Sequence, residues 1–102
     1  MRYSVVLSSK ADRDYTDYIN TIMYCYSAPL TAAQHYKGLY SALKSLETNP
    51  ESYPIATQKS LLLQYGYNTR RINYKKMTII YTVHSDMVYV HRVIPASMIT
   101  GL

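Results

Sequence analysis

The sequence predicts an α+β domain ordered strand, helix, helix, strand, strand, strand, with an antiparallel helical hairpin packed on one face of a mostly antiparallel sheet. Three observations predict it. Apolar residues recur at steps of three and four over residues 11–26 and again over 33–46, which is the helical period. From Gly66 onward the period becomes two, in segments rich in β-branched and aromatic residues, as in strands. A short apolar run opens the chain. A length of 102 residues, 48% of them hydrophobic, suits one modest core and is too short for two, so residues 1–102 are expected to form a single domain.

The opening run, Tyr3, Val5, Val6 and Leu7 within Arg2 to Leu7, reads as a central strand buried on both faces. Ser8 and Ser9 end it, and Ser9 with Asp12 has the spacing of a capping box that starts the first helix. That helix aligns Ala11, Tyr15, Tyr18, Ile19, Ile22, Met23 and Tyr26 in one stripe. Asp12, Asp14 and Asp17 lie early in it, where carboxylates favour the positive end of the helix dipole. Pro29 breaks the helix, and Thr31 with Gln34 offers a second capping box. The second helix places Ala33, Tyr36, Leu39, Tyr40, Leu43 and Leu46 on one face and stops at Pro50. Residues 51–60 form an irregular crossing, and Leu61 to Leu63 a short helix or strand. Arg71 to Tyr74, Met77 to Val83 and Met87 to Ile94 are the remaining strands. A turn centred between Ser85 and Asp86 sets Val83 opposite Val88, Tyr81 opposite Val90, Thr82 opposite Tyr89 and Ile80 opposite His91.

All 13 aromatic residues are tyrosines. Every large ring therefore carries a hydroxyl that must find a partner or reach water. The helical pattern assigns Tyr15, Tyr18, Tyr26, Tyr36 and Tyr40, and the strand pattern Tyr81, to the core. The net charge of +5 is confined to the second half: residues 1–51 hold five basic and five acidic groups, whereas residues 52–102 hold six basic groups against Asp86 alone. Such asymmetry fits a surface that meets nucleic acid or an acidic protein segment, and equally a solvated basic face. Cys25 has no partner for a disulfide, and the three histidines show no metal-ligand spacing with it, so no metal or other cofactor is expected. No signal-peptide pattern or membrane-spanning run is present, which predicts a cytoplasmic protein.

The order of elements and the local text resemble the RelE/ParE superfamily of bacterial type II toxins. The residues that carry the resemblance are Ser8-Ser9-Lys10-Ala11-Asp12-Arg13-Asp14, Ala32-Ala33 followed by Leu39, Leu43 and Leu46 before Pro50, and most densely Arg71 to Val83 with Val88 to Ile94. The resemblance implies a toxin silenced by a cognate antitoxin whose flexible segment wraps it. It implies one of two activities: ribosome-dependent mRNA cleavage, as in RelE-like members, or inhibition of DNA gyrase, as in ParE-like members. The family's RNA-cleaving site lies on the sheet surface and uses basic, tyrosine and histidine groups. Cleavage through the RNA 2′-hydroxyl needs a base, an acid and cations around the phosphate, and no metal.

On that pattern Arg71, His91 and Arg92 are the candidate catalytic residues. Arg71 is the phosphate fork and His91 the group that titrates near neutral pH. Arg70, Lys75, Lys76 and Tyr89 are the candidate nucleic-acid contacts, Tyr89 as a stacking platform. Arg92 falls on the side of Tyr81 by strict alternation, unless it lies at an edge or a bulge turns it outward. His84, about 13 Å from His91 at strand rise, is set too far away for a tight pair. Translation arrest by mRNA cleavage is the leading expectation, because Arg71, His91 and Tyr89 share one basic face. The alternative is a non-enzymatic gyrase inhibitor or a toxin-like protein that only binds its antitoxin. Residues Pro95 to Leu102, where many RNA-cleaving relatives carry arginines, hold no titratable side chain, and this favours the alternative.

Overall fold

The first strand hands over to the first helix at Ser8. In the computed structural model, which describes residues 2–99, Ser4–Leu7 forms β1 and Ser9–Asn20 forms α1. Ser8 Oγ accepts the Ala11 N–H at 3.0 Å and donates to the His91 carbonyl at 2.8 Å. The cap is thus one residue earlier than Ser9, and it ties the helix start to the far strand. α1 runs into a π-helical turn, Thr21–Cys25. The second helix, Pro29–Ser45 (α2), begins on Pro29 rather than on a Thr31 cap; proline suits a first helical turn, where its missing N–H has no partner to lose. A seven-residue helix, Lys59–Tyr65 (α3), fills the crossing and ends on Gly66, whose φ of 113° suits only glycine.

Arg70–Tyr74 (β2), Met77–His84 (β3) and Met87–Pro95 (β4) complete a four-stranded sheet in the order β1-β4-β3-β2. β1 runs parallel to β4 and the other pairs are antiparallel. The expected β3–β4 register holds from Tyr81 to the turn: Val83 faces Val88, Thr82 faces Tyr89 and Tyr81 faces Val90. It then breaks. A bulge inserts His91 between Tyr81 and Ile80, so that Ile80 faces Arg92 instead of His91. One extra residue on one strand re-aims everything beyond it.

The helical layer covers one face of the sheet. Leu39, Leu43 and Leu46 of the α2 region and Ala11 of α1 pack against Ile72, Met77, Ile79, Tyr81, Val88, Val90 and Val93. Tyr81 is fully buried and its hydroxyl donates to the Pro50 carbonyl at 2.6 Å; burial pushes its pKa up. On the opposite face α3 covers the middle of the sheet, with Ala56 and Leu61 packed on Ile80. Thr78, Ile80 and Thr82 are consequently sealed from solvent. No helix among the described residues is long and apolar enough to cross a membrane.

Two expectations are corrected here. β1 is an edge strand, not a central one, and Val6 is 41% exposed; its apolar run is explained by one neighbour and the helices, not by two neighbours. The buried face of α2 is Ala32, Leu39 and Leu43, which turns Tyr36 and Tyr40 half outward, and Tyr26 lies exposed at the hairpin tip. Tyrosine serves on either side of such a boundary, so the helical period alone could not fix the rotation.

Candidate functional site

The bulge builds the most chemically varied part of the outer sheet face. Extra backbone at His91 places two consecutive residues, His91 and Arg92, on the side of the sheet that α3 partly covers. The His91 ring lies 4.5 Å from the Tyr65 ring of α3 and 4.9 Å, edge to face, from Tyr89. Its Nε2 is 2.9 Å from Thr82 Oγ1, and His84 Nε2 lies 2.6 Å from the same oxygen. The two imidazoles are therefore close, which overturns the expectation that about 13 Å of strand rise keeps them from forming a tight pair. His84 is registered with Met87, four residues from His91, but Thr82 lies between the two positions and both rings lean onto its hydroxyl. A threonine hydroxyl has one proton to give, so at least one of the two Nε2 atoms carries a hydrogen. Burial first, and His84 second, hold His91 below its ordinary value, leaving a neutral imidazole at neutral pH.

Arg92 lies in the same row across the sheet as Ile80 and Arg71. Its guanidinium turns over the β4 edge to Asp14 of α1, with Nε 2.7 Å from Oδ2 and Nη2 3.1 Å from Oδ1. Asp14 Oδ2 also accepts the Val93 N–H at 3.1 Å, where β1 has ended and β4 would otherwise expose its edge. Hydrogen bonding to Asp14 raises the pKa of Arg92 further. This cation is committed to an internal carboxylate. Arg70 is committed as well: it points to the helical side and donates to the carbonyls of Tyr53 and, at 3.3 Å, Glu51. It pins the segment that Tyr81 also holds.

Arg71 stands on the outer face beside Ile55, Ala56 and Gln58, lining a shallow hollow of about 180 Å³. Between it and Arg92 lies Ile80, sealed under Leu61. Two strand spacings, roughly 9.5 Å of backbone, separate the two arginines. Lys75 has φ of 54° in the β2–β3 turn, with its Nζ 6.0 Å from the Tyr74 ring; Lys76 is its exposed neighbour. The fold therefore gathers Tyr89 and His91, joined by Tyr65, Thr82 and His84, and leaves Arg71, Lys75 and Lys76 outside that cluster. Thr82 carries no sequence signal for this role, Tyr65 only its place among the rings of the basic half, and Asp14 read simply as a helix stabiliser. No cluster of three or more metal-ligating side chains occurs among the described residues.

A second candidate surface lies on the helical side. Val5 and Leu7 of β1, Tyr15 of α1 and Tyr36, Tyr40 and Leu43 of α2 line a groove of about 270 Å³, with Asp12, Lys44 and Glu47 at its margins. The Tyr36 and Tyr40 rings stack at 6.4 Å, and Lys44 caps Tyr40 at 5.8 Å. In β1 the Ser4 amide reaches back to Asp86 at the start of the β4 side, while the Tyr3 amide turns away to Glu47. By the same alternation the backbone polar groups of Val5 and Leu7 point away from β4, out of the sheet edge.

Comparison with known proteins places these observations. Residues 5–100 match the family model described as the ParE toxin of the type II toxin-antitoxin system, parDE. Among solved structures, the fold is similar to the chromosomal ParDE toxin-antitoxin system from P. aeruginosa, with a TM-score of 0.73 at 11% identity over 92% of this chain and 96% of that one. It is also similar to the RelBE2 toxin-antitoxin complex from Mycobacterium tuberculosis, with a TM-score of 0.61 at 15% identity over 93% of this chain and 99% of that one. No curated protein sequence matches.

Proposed function

The chain belongs to the ParE toxin family of type II toxin-antitoxin systems, and on that premise we propose that it arrests growth by binding DNA gyrase, without cutting mRNA, until a cognate antitoxin sequesters it. The observation that carries this reading is the dispersal of the cations. RNA cleavage needs positive charge converging on one phosphate beside a base. Here Arg92 is neutralised by Asp14, Arg70 is bonded to backbone carbonyls, and Arg71 stands on the far side of the sealed Ile80 from His91. The antitoxin is proposed to lay an extended or helical segment into the groove beside β1, where backbone edge and apolar floor coincide.

One observation favours the cleavage reading: neutral His91 beside Tyr89 is suited to accept a proton near a stacked base. Expression of the chain alone separates the two. Loss of supercoiling activity in purified gyrase, with intact mRNA ends in the arrested cells, supports the proposal. Cleavage of ribosome-bound mRNA that His91→Ala abolishes would overturn it.

A further inference from the structure

The tip of the helical hairpin has the chemistry of a protein-docking knob. Turns between antiparallel helices are ordinarily the wettest part of a helical layer. This one exposes Tyr24, Tyr26 and Leu30 by 72%, 73% and 82%. Single exposed apolar residues are unremarkable; three within seven positions of one turn concentrate apolar surface at the hairpin tip. No Asp, Glu, Lys or Arg occurs between Asp17 and Lys37, in a chain that is 17% charged.

The tip also rests on packing of its own. Ile19, Ile22 and Ala32 form a small core of their own beneath it, packed by Tyr18, Met23 and Ala28. The helix widens to a π-turn over Thr21–Cys25, a geometry concentrated at functional sites. The Tyr26 amide returns to the Thr21 carbonyl at 3.3 Å and the Ala28 amide to the Ile22 carbonyl at 3.2 Å. Ser27 takes a left-handed φ of 50° to close the turn before Pro29. The rings therefore project from a backbone that is hydrogen-bonded and packed from beneath.

We propose that this tip is the surface by which the toxin grips its target protein, inserting Tyr24, Tyr26 and Leu30 into an uncharged apolar cleft. This rests on the toxin reading above for the existence of a target. Charge decides against nucleic acid, since a phosphate backbone finds no cation across nineteen residues. Shape decides against a second copy: a symmetric dimer needs a self-complementary patch of about 800 Å² on each partner, and a convex turn with three exposed side chains offers neither. Position decides against the antitoxin, whose proposed groove engages α1 at Asp12 and Tyr15 and α2 from Tyr36 to Lys44, away from the tip. Aromatic enrichment with depleted charge is the signature of a protein-interface centre.

The test is the triple variant Tyr24→Ser, Tyr26→Ser, Leu30→Ser, with Leu63→Ser, Tyr67→Ser as a control that removes comparably exposed apolar side chains from the α3 region. Growth arrest on induced expression is expected to weaken by about tenfold or more in the triple variant and to persist in the control. Melting temperature and antitoxin affinity are expected to stay near wild type. Unchanged arrest by the triple variant overturns the proposal, as does an equal loss in the control. A parallel loss of antitoxin affinity makes the antitoxin the occupant, and a wild-type dimer that the triple variant converts to monomer makes it a second copy; either result overturns the proposal. Arrest by the wild type without inhibition of gyrase refutes the gyrase reading alone, because the growth comparison still tests the tip. A wild-type chain that leaves growth unaffected overturns both.

Discussion

Replacing Asp14 by alanine removes one carboxylate that serves three donors. The Arg92 pair is bidentate at 2.7 and 3.1 Å, and the Val93 N–H is satisfied at 3.1 Å by the same group. Both charged side chains are largely buried, with 28% of Arg92 and 17% of Asp14 exposed. A charge-assisted hydrogen bond in such a setting contributes about 1.5–3 kcal/mol, and an amide left without a partner costs about 1 kcal/mol or more. Residual solvent contact reduces the first figure, giving a total near 3 kcal/mol. For a chain of this size that corresponds to a fall in melting temperature of about 12–20 °C. Asp14→Asn keeps one acceptor oxygen and is expected to lose roughly half as much. Urea denaturation with unchanged m-value measures the loss, and a double-mutant cycle with Arg92→Met isolates the pair, with a coupling of about 1–2 kcal/mol expected. A cost below about 0.5 kcal/mol for Asp14→Ala, or strict additivity with Arg92→Met, would refute the assignment of Asp14 as the clamp of the β4 edge.

Three further outcomes are expected. Burial lowers the His91 pKa from 6.5, so the unfolded chain binds more protons below that value; stability contributed by the neutral ring is full above about pH 6.5 and falls as pH drops through the folded pKa. His91→Phe should flatten the decline in urea midpoint between about pH 7 and 5, and an unchanged slope would place the titration elsewhere. A Cβ on Gly38 runs into the phenol end of Tyr74, so Gly38→Ala is expected to cost about 1–3 kcal/mol in the wild type, yet to gain up to about 1 kcal/mol in a Tyr74→Ala background, where only helix propensity remains; thermal melts of the four variants read the sign reversal. With Arg70 and Arg92 engaged internally, four cations of the basic half, Lys59, Arg71, Lys75 and Lys76, remain to meet single-stranded RNA, giving a log affinity against log salt slope of about −3. Fluorescence anisotropy across a salt series should show this slope unaltered by Arg92→Met and reduced by Lys75→Ala with Lys76→Ala.

Local pattern was most legible where it was redundant. The β3–β4 hairpin could be registered from sequence because alternation and the Ser85-Asp86 turn agree, and Val83–Val88, Thr82–Tyr89 and Tyr81–Val90 follow. The bulge was not legible, since an inserted His91 leaves composition and β-propensity unchanged while shifting Arg92 opposite Ile80. That single step separates the candidate site as read from its actual neighbours: it brings His91 to Thr82 and lets Arg92 reach Asp14. The edge position of β1 was hidden for a different reason. Strand order is set by long-range pairing, and Val5-Val6-Leu7 has the same text whether one or two strands flank it. α3 was legible only as a short helix or strand at Leu61 to Leu63, because seven residues are too few for a periodic signal, although its burial of Ile80 is what closes the outer face.

Composition left the basic second half open to nucleic acid, to an acidic protein segment or to solvent, and side-chain placement reduces the charge it can offer any of them. Two of its six cations turn inward, Arg70 to the carbonyls of Glu51 and Tyr53 and Arg92 to Asp14. The first half, with balanced charge, carries the exposed rings of Tyr24, Tyr26, Tyr36 and Tyr40. Using tyrosine as the sole aromatic makes this division workable. Where a ring is buried or half-buried its hydroxyl is bonded, as Tyr81 is to Pro50 and Tyr15 to Tyr36, and where it is exposed the hydroxyl can reach water. Phenylalanine at the tip would pack as well against a partner but would leave an apolar patch in the free toxin. The exposed rings of the helical hairpin suit protein partners, as proposed for the groove and the tip, while two of the six cations of the basic half hold the sheet and its flanking segments together.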